Sequence, residues 1–541
     1  MLNEHLKKNI VNINSILILL FPVALVSGPL IPEIFLFIIV FSFIYLAQNE
    51  KKFKYFNNNF FKVFLIFFLI INISSFINFY SISIKNSIFY FRFGLFSLAI
   101  FFFLNENSKL KYQMFLSLSM LILILLADSA IQFFFDRNIF GFEKHFTGRV
   151  SSFFGDELVL GSFISKFFLF YLALYYTTKL SKNKIYVFII ILTFFFIIFF
   201  SASRTALASF ILSIVFFLIL SKDYKLILRL LIVFSISIFI LNQFNNNNLK
   251  RIYEHTKYQM FNEYSSFNFL SQRHMLHFKT AYKIFQNHMI IGGGPKSFRI
   301  LCDKDDFIPK QYILDTNTIT TKSKGEIDIK VIAYAKSPEG KDINQHINTE
   351  EFFEIFNQYR NDLKDLKFDI SSPHDVIEKF YNSEFSHLRS FATLNYEDGT
   401  KKEINFFTPY YYFYIENKFF DQNQKIISFK PLFDNGCNTH PHNFFIQILS
   451  EIGILGLSIY IFVGIYILIG FINFLFNINV FHNLYNYKID LKISLLFASY
   501  LVIFFPIFPS GNFFNNWISM ILYFPIGFLL NFIDKNKTIK N

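Results

Sequence analysis

The sequence predicts an all-α polytopic membrane protein carrying a small α+β insert outside the membrane. Three observations predict it. The 541-residue chain is 53% hydrophobic and only 16% charged, more apolar than ordinary soluble chains. Several apolar runs reach the ~20 residues that a helix needs to cross a bilayer. Lysines gather in the short loops between those runs. The net charge of +13 is therefore topology information and points to a membrane surface, not to nucleic acid.

About twelve spans are expected, near 12–28, 30–48, 60–79, 86–104, 113–134, 157–178, 184–200, 203–220, 225–243, 443–475, 490–508 and 515–533. The first run lacks a small-residue cleavage site and further spans follow, so it reads as a span and not as a cleaved signal. The 83 Phe, with abundant Ile, Asn and Lys, fit an AT-rich coding bias and are not read as binding sites. With the N-terminus inside, Lys7, Lys8, Lys51, Lys52, Lys54, Lys109, Lys111, Lys179, Lys182 and Lys488 fall on the cytoplasmic side. Both termini are then inside. The loop near 135–156, the turn at 201–204 and the long segment 244–442 are outside.

The chain therefore divides into a membrane part at 1–243, an outer segment at 244–442 and a second membrane part at 443–541. Within the outer segment, 268–300 reads as an amphipathic helix stopped by Gly292-Gly293-Gly294-Pro295. Residues 303–432 read as the α+β insert. It contains an alternating strand at 327–332, a helix from Glu350 to Phe368 and a β-hairpin from Phe391 to Phe407 broken at Asp398-Gly399. Cys302 and Cys437 bracket this insert, and in an oxidising compartment they read as a disulfide pinning its ends. The alternative is two unrelated thiols.

The most informative stretch is Thr439-His440-Pro441-His442-Asn443, running into a membrane-length apolar run. Pro441 suits the first turn of a helix. The histidines would then sit at a helix N-terminus, whose free N–H groups suit an anionic ligand. Asn443, Gln447, Ser450 and Glu451 recur at helical spacing as a polar stripe, which faces either the protein interior or a watery cavity. The plain alternative is two surface histidines capping a helix.

No metal pattern is found: His440 and His442 stand two apart without HExxH, CxxC or an Asp-rich motif. Arginine carries more. Arg204, in Ser201-Ala202-Ser203-Arg204-Thr205, lies in a polar break where a guanidinium can grip a phosphate or simply snorkel to headgroups. Arg273 lies on the amphipathic segment, and Arg149 precedes Phe154-Gly155-Asp156-Glu157. Arg92 falls inside the fourth span, with Asp128 as a candidate partner; the pair is either functional or a structural ion pair.

In order along the chain, these stretches resemble the O-antigen ligase and O-antigen polymerase superfamily of bacterial membrane glycosyltransferases. The resemblance runs through Asp128-Ser129-Ala130-Ile131-Gln132, Arg149 with Gly155-Asp156-Glu157 and Gly161, Ser201 to Thr205, and Gly292 to Phe298. It ends on His440-Pro441-His442-Asn443 followed by Glu451-Ile452-Gly453-Ile454-Leu455-Gly456. It covers about 120–300 and 435–465, and the 303–432 insert departs from the family pattern.

The resemblance implies a GT-C-like fold in the bacterial inner membrane, with the large loop periplasmic. The donor would be a glycan on undecaprenyl diphosphate, used without cofactor or metal. The acceptor would be the lipid A core, a second lipid-linked glycan, or a protein hydroxyl. Arg204 and Arg273 match the arginines expected to hold the diphosphate. His442, with His440 in reserve, matches the histidine expected to activate the acceptor. Arg149, Arg92, Asp128 and Asn443 are supporting candidates. A transporter or flippase for a lipid-linked glycan, and a scaffold presenting the insert, are the competing readings; the first suits twelve spans equally well but would show internal repeats.

Overall fold

The computed structural model describes residues 4–145, 148–223, short helical pieces between 226 and 257, 272–302, 304, 307, the strands named below, 437–478 and 484–537. Two compact units result. The first comprises Met1–Tyr253, Ala281–Leu301 and Thr439–Asn541; the second comprises Glu254–Thr280 and Cys302–Asn438. The expected amphipathic segment at 268–300 is thus shared between them, with its second half belonging to the membrane helices.

The first unit is helical. In order it contains α1 (Glu4–Val26), α2 (Leu30–Asn49), α3 (Asn59–Asn78), α4 (Ser81–Phe89), α5 (Phe91–Glu106), α6 (Leu110–Phe135), α7 (Leu160–Tyr175), α8 (Lys184–Phe200) and α9 (Arg204–Ser221). Helix α10 (Gln272–Asn287) enters this unit only from Ala281 onward, and the single turn α11 (Phe298–Leu301) follows. The chain closes with α12 (Phe444–Phe476), α13 (Leu491–Ile503) and α14 (Asn516–Lys535). Among the described residues, eight helices are long and apolar enough to cross a membrane, counting α4 and α5 together as Ser81–Glu106. Helices α7, α8 and α13 fall at expected spans but are shorter. The expected ninth span at 225–243 lies largely outside the described residues.

Backbone groups cannot be left unpaired in lipid, and this explains the caps. Asn58, Asn183, Asn443, Asp490 and Asn515 each accept a backbone N–H at a helix start. Phenylalanine rings fill the interior: Phe21 stacks on Phe524 at 5.1 Å, and Phe168 meets Phe210 edge-on at 4.8 Å. Small residues allow close approach where helices cross. A Cβ on Gly527 of α14 would lie 2.5 Å from Ile100 of α5.

Among the described residues, the ion pairs gather at the two ends of this unit. At one end Lys7 pairs with Glu50 (2.9 Å) and Glu106 (3.0 Å), and Lys52 bridges the same two carboxylates. Lys184–Asp223 (2.8 Å) and Lys488 N–H to Asn536 O (3.0 Å) lie at the same ends of their helices. The other end holds the turns after α3, α6, α8 and α13, and the approach to α12.

In the second unit, β4 (Arg389–Tyr396) and β5 (Lys401–Phe407) form an antiparallel hairpin with Arg389 opposite Phe407 and Asn395 opposite Lys401. Strand β6 (Ile426–Leu432) pairs with the other edge of β4, and β1 (Ile319–Thr320) pairs with β6. Strands β2 (Ala335–Lys336) and β3 (Asp342–Ile343) form a separate pair. The strand expected at 327–332 and the helix expected from Glu350 to Phe368 lie outside the described residues. Cys302 and Cys437 are joined by a disulfide, with their Cα atoms 4.9 Å apart.

Candidate functional site

Helix α12 begins at Phe444, not at the histidines. The Asn443 side chain accepts from Ile446 N (3.1 Å), and its amide donates to the carbonyls of Pro506 (2.7 Å) and Phe508 (3.1 Å). Pro441 therefore stands before the helix, correcting its expected place in the first turn. Asparagine at the cap uses one of the free N–H groups that an anion was expected to meet. His442 has a left-handed backbone, φ 56°, and its carbonyl accepts from Ser510 N at 2.8 Å. The two imidazoles lie side by side, ring centres 4.1 Å apart, and Thr439 Oγ1 meets His440 Nδ1 at 2.9 Å. Both rings are half-buried.

The polar stripe below them faces the protein interior. Gln447, Ser450 and Glu451 are fully buried. Gln447 donates to Asn512 Oδ1 (2.8 Å) and Glu451 Oε2 (3.0 Å), and accepts from Phe513 N (2.8 Å). Glu451 accepts from Lys296 N (2.9 Å) and Phe298 N (3.2 Å). These partners are protein groups, so the stripe is a fastening and not the lining of a watery channel.

What it fastens is the glycine run. Helix α12 is interrupted at Gly453, with φ 69° and ψ −162°. The chain at 289–294 runs along this break as a strand would. Ile454 N and Leu455 N donate to Met289 O (2.9 Å) and Ile290 O (3.2 Å). In return, Gly293 N and Gly294 N donate to Ser450 O (3.0 Å) and Glu451 O (2.7 Å). Backbone approaches backbone here, so only glycine fits. A Cβ on Gly292 would lie 2.2 Å from the Glu451 carbonyl carbon, and one on Gly453 would lie 2.5 Å from that of Ile290. Asn78 and Ser83 secure the run from α3 and α4 through Gly292 O (2.9 Å) and Pro295 O (2.7 Å). The glycines were expected as a helix stop; they are also the insert in a broken membrane helix. Lys296, next in the chain, is half-buried. Burial, with Arg299 beside it, pushes its ammonium down to about 8, against the pull of Glu451.

Arg204 begins α9, just after Ala202, whose φ is 46°. The turn packs on Gly161 of α7, where a Cβ would lie 2.3 Å from Ser201 Oγ. Arg149 binds Leu158 O (2.8 Å) and Ser201 O (3.4 Å), tying its loop to the same turn. A series of contacts links this turn to His442. Two residues beyond Gly161, Phe163 meets Trp517 at the start of α14 with ring centres 6.2 Å apart. The loop before Trp517 holds Ser510, Asn512 and Phe513, which grip His442 and Gln447.

Arg92 and Asp128 do not pair, which corrects the expected partnership. Arg92 is matched to Glu33 of α2, Nε to Oε1 at 2.7 Å, and lies over the Phe93 ring at 4.4 Å. Asp128 is buried and organises the loop after α6, accepting from Ile139 N (3.0 Å), Asn138 (3.3 Å) and Ser152 Oγ. Glu33 was missed because it stands on α2, far in sequence from Arg92 on α5. Arg273 is the second residue of α10; its side chain lies outside the described residues. Among the described residues, no three His, Cys, Asp or Glu side chains are grouped to hold a metal ion.

Together these features define a class: a polytopic helical membrane protein with a His-Asn head on an interrupted helix and an arginine turn at the same end. The family model described as O-antigen ligase matches residues 187–321, which supports the O-antigen ligase and polymerase superfamily for this chain. That family points to a ligase-type or polymerase-type function. No curated protein matches the chain.

Proposed function

We propose that this chain is a glycosyltransferase that moves a glycan from undecaprenyl diphosphate to a hydroxyl of the lipid A core. The reaction runs at the periplasmic face of the bacterial inner membrane. The termini and the Lys7–Glu50–Lys52–Glu106 network are cytoplasmic, the 225–243 stretch completes twelve spans, and the α+β insert at 303–432 is periplasmic. His442 takes the proton of the acceptor hydroxyl as its oxygen bonds to the anomeric carbon. The bond from that carbon to the diphosphate breaks, and undecaprenyl diphosphate leaves with its charge held by Arg204 and Arg273. No metal or cofactor takes part in this scheme.

The observation that carries the proposal is the run of contacts from His442 through Ser510 and Trp517 to Phe163 and the Gly161–Ser201 packing. It supports a base and a cation at one end of one helical unit. The polymerase reading uses the same residues with a second lipid-linked glycan as acceptor. The glycan profile of a deletion strain separates them. Core without long-chain glycan, with lipid-linked polymer accumulating, is the expected result. A single repeat unit on the core means polymerase. Lipid-linked glycan trapped on the cytoplasmic face means a transporter and overturns the proposal.

A further inference from the structure

The membrane helix α7 carries one charged residue, Lys166, in the run Leu160–Tyr175. An ammonium at this depth is costly unless it meets a partner, a cavity or the interface. Lys166 is half-buried, and among the described residues no carboxylate stands near it. Its Nζ turns back one helical turn to Ser162, reaching both the hydroxyl and the carbonyl, the latter at 3.5 Å. A serine hydroxyl solvates an ammonium but does not neutralise it.

Two facts fix where that charge lies. Ser162 follows Gly161, whose Cα packs against Ser201, Ser203 and Ala206 in the turn that begins α9 at Arg204. The ammonium is therefore about one turn inside the end of α7 where that arginine turn sits. The same helix shows which way the side chain leaves. Phe168 points to Phe194 and Phe210 of α8 and α9. Phe163 and Phe170 point to Trp517, Phe524 and Phe528 of α14. At about 100° per residue, Lys166 lies beside the second stripe and nearly opposite Phe168. That second stripe meets α14, whose preceding loop grips His442. A lysine that only anchors the protein to headgroups would lie on the lipid side with its head in water.

We infer that Lys166 is a further binding residue of the donor site, holding the phosphate of a polyprenyl diphosphate that enters from the membrane. This rests on the proposed glycan transfer from such a lipid. The ligand is a lipid-borne diphosphate because the cation lies below the interface, where a soluble phosphate would have to leave water. Lysine serves as a point charge for phosphate and needs no fixed fork geometry.

The test uses the full chain in phosphatidylcholine nanodiscs and equilibrium binding of radiolabelled undecaprenyl diphosphate. Lys166→Met removes the charge and keeps an apolar chain of similar length, so the helix should remain inserted; a thermal melt checks this. Lys166→Arg keeps the charge. The inference expects Lys166→Met to weaken binding about ten-fold or more and to raise KM for the lipid-linked donor with a smaller effect on kcat. Lys166→Arg should bind within a few-fold of the unmodified chain. Lys166→Met binding as well as the unmodified chain, while Arg204→Ala binds weakly, overturns the inference and leaves the transferase proposal standing. A Lys166-dependent response of equal size to phosphatidylglycerol also overturns it, because the residue then holds lipid phosphates in general. If the unmodified chain binds no undecaprenyl diphosphate, the inference and the proposed donor fail together.

Discussion

Glu451 and Lys296, 155 residues apart in sequence, meet through a 2.9 Å hydrogen bond from the Lys296 N–H to the Glu451 carboxylate. The same carboxylate takes Phe298 N and the Gln447 amide. One buried side chain thus closes the turn that follows the glycine run. Glu451→Ala leaves three donors without this acceptor and should destabilise the protein by at least about 2 kcal/mol. Glu451→Gln keeps one oxygen and should lose less. Thermal melts in detergent compare the two; equal melting temperatures for all three proteins would contradict the role.

Gly453 and Gly464 lie on the same helix and should respond oppositely to alanine. At Gly453 the backbone is left-handed and a Cβ meets Ile290 at 2.5 Å. Gly453→Ala should destabilise by more than about 2 kcal/mol, from backbone strain of about 1–3 kcal/mol together with the displaced 289–294 segment. At Gly464 nothing lies within 4 Å of a Cβ. Gly464→Ala should be neutral or stabilising by up to about 1 kcal/mol. Thermal melts of the two variants check this contrast.

Arg92 and Glu33 form a largely buried pair. Arg92→Met alone leaves a carboxylate facing apolar surroundings and should cost about 3 kcal/mol or more, whereas the Arg92→Met, Glu33→Gln double variant should recover much of that loss. Asp128→Asn should show no coupling to Arg92→Met. A double-mutant cycle on melting temperature measures both.

Lys296 predicts a pH effect. Its folded value of about 8 lies below the ordinary lysine value of 10.5. Below about pH 8 both folded and unfolded chains hold the proton. Between about 8 and 10.5 the folded chain has released it and the unfolded chain has not, so this group makes stability rise with pH across that window. Lys296→Met should remove that rise. The check is the difference in melting temperature between pH 7.5 and pH 10 for the two proteins; an unchanged difference would count against it.

Much of the membrane architecture was legible because a lipid-crossing helix leaves a long apolar run and short basic loops. The α4–α5 break at Tyr90 was not, since no glycine or proline stands at it. The hairpin at 389–407 could be read from alternation and from Asp398-Gly399. The candidate site stands out in the sequence at its head, where His440 to Asn443 interrupt apolar sequence. Its fastening was hidden. Glu451 looked like part of a polar stripe, because helical spacing shows which side chains share a face but not what covers it. The Gly453 break could have been suspected from Gly292 to Gly294, yet no local pattern says that two glycine positions meet. Arg92 chose Glu33 over Asp128 for the same reason: charge identity is visible in sequence, and proximity is not.

In the proposed reaction His442 acts as the base in glycan transfer from a lipid diphosphate. The most direct measurement is the single-turnover rate at which purified protein in nanodiscs moves glycan from undecaprenyl diphosphate to lipid A core. His442→Ala should slow this step about 10²–10⁴-fold while donor binding and melting temperature stay near those of the unmodified protein. Transfer by His442→Ala at the full rate would contradict the account.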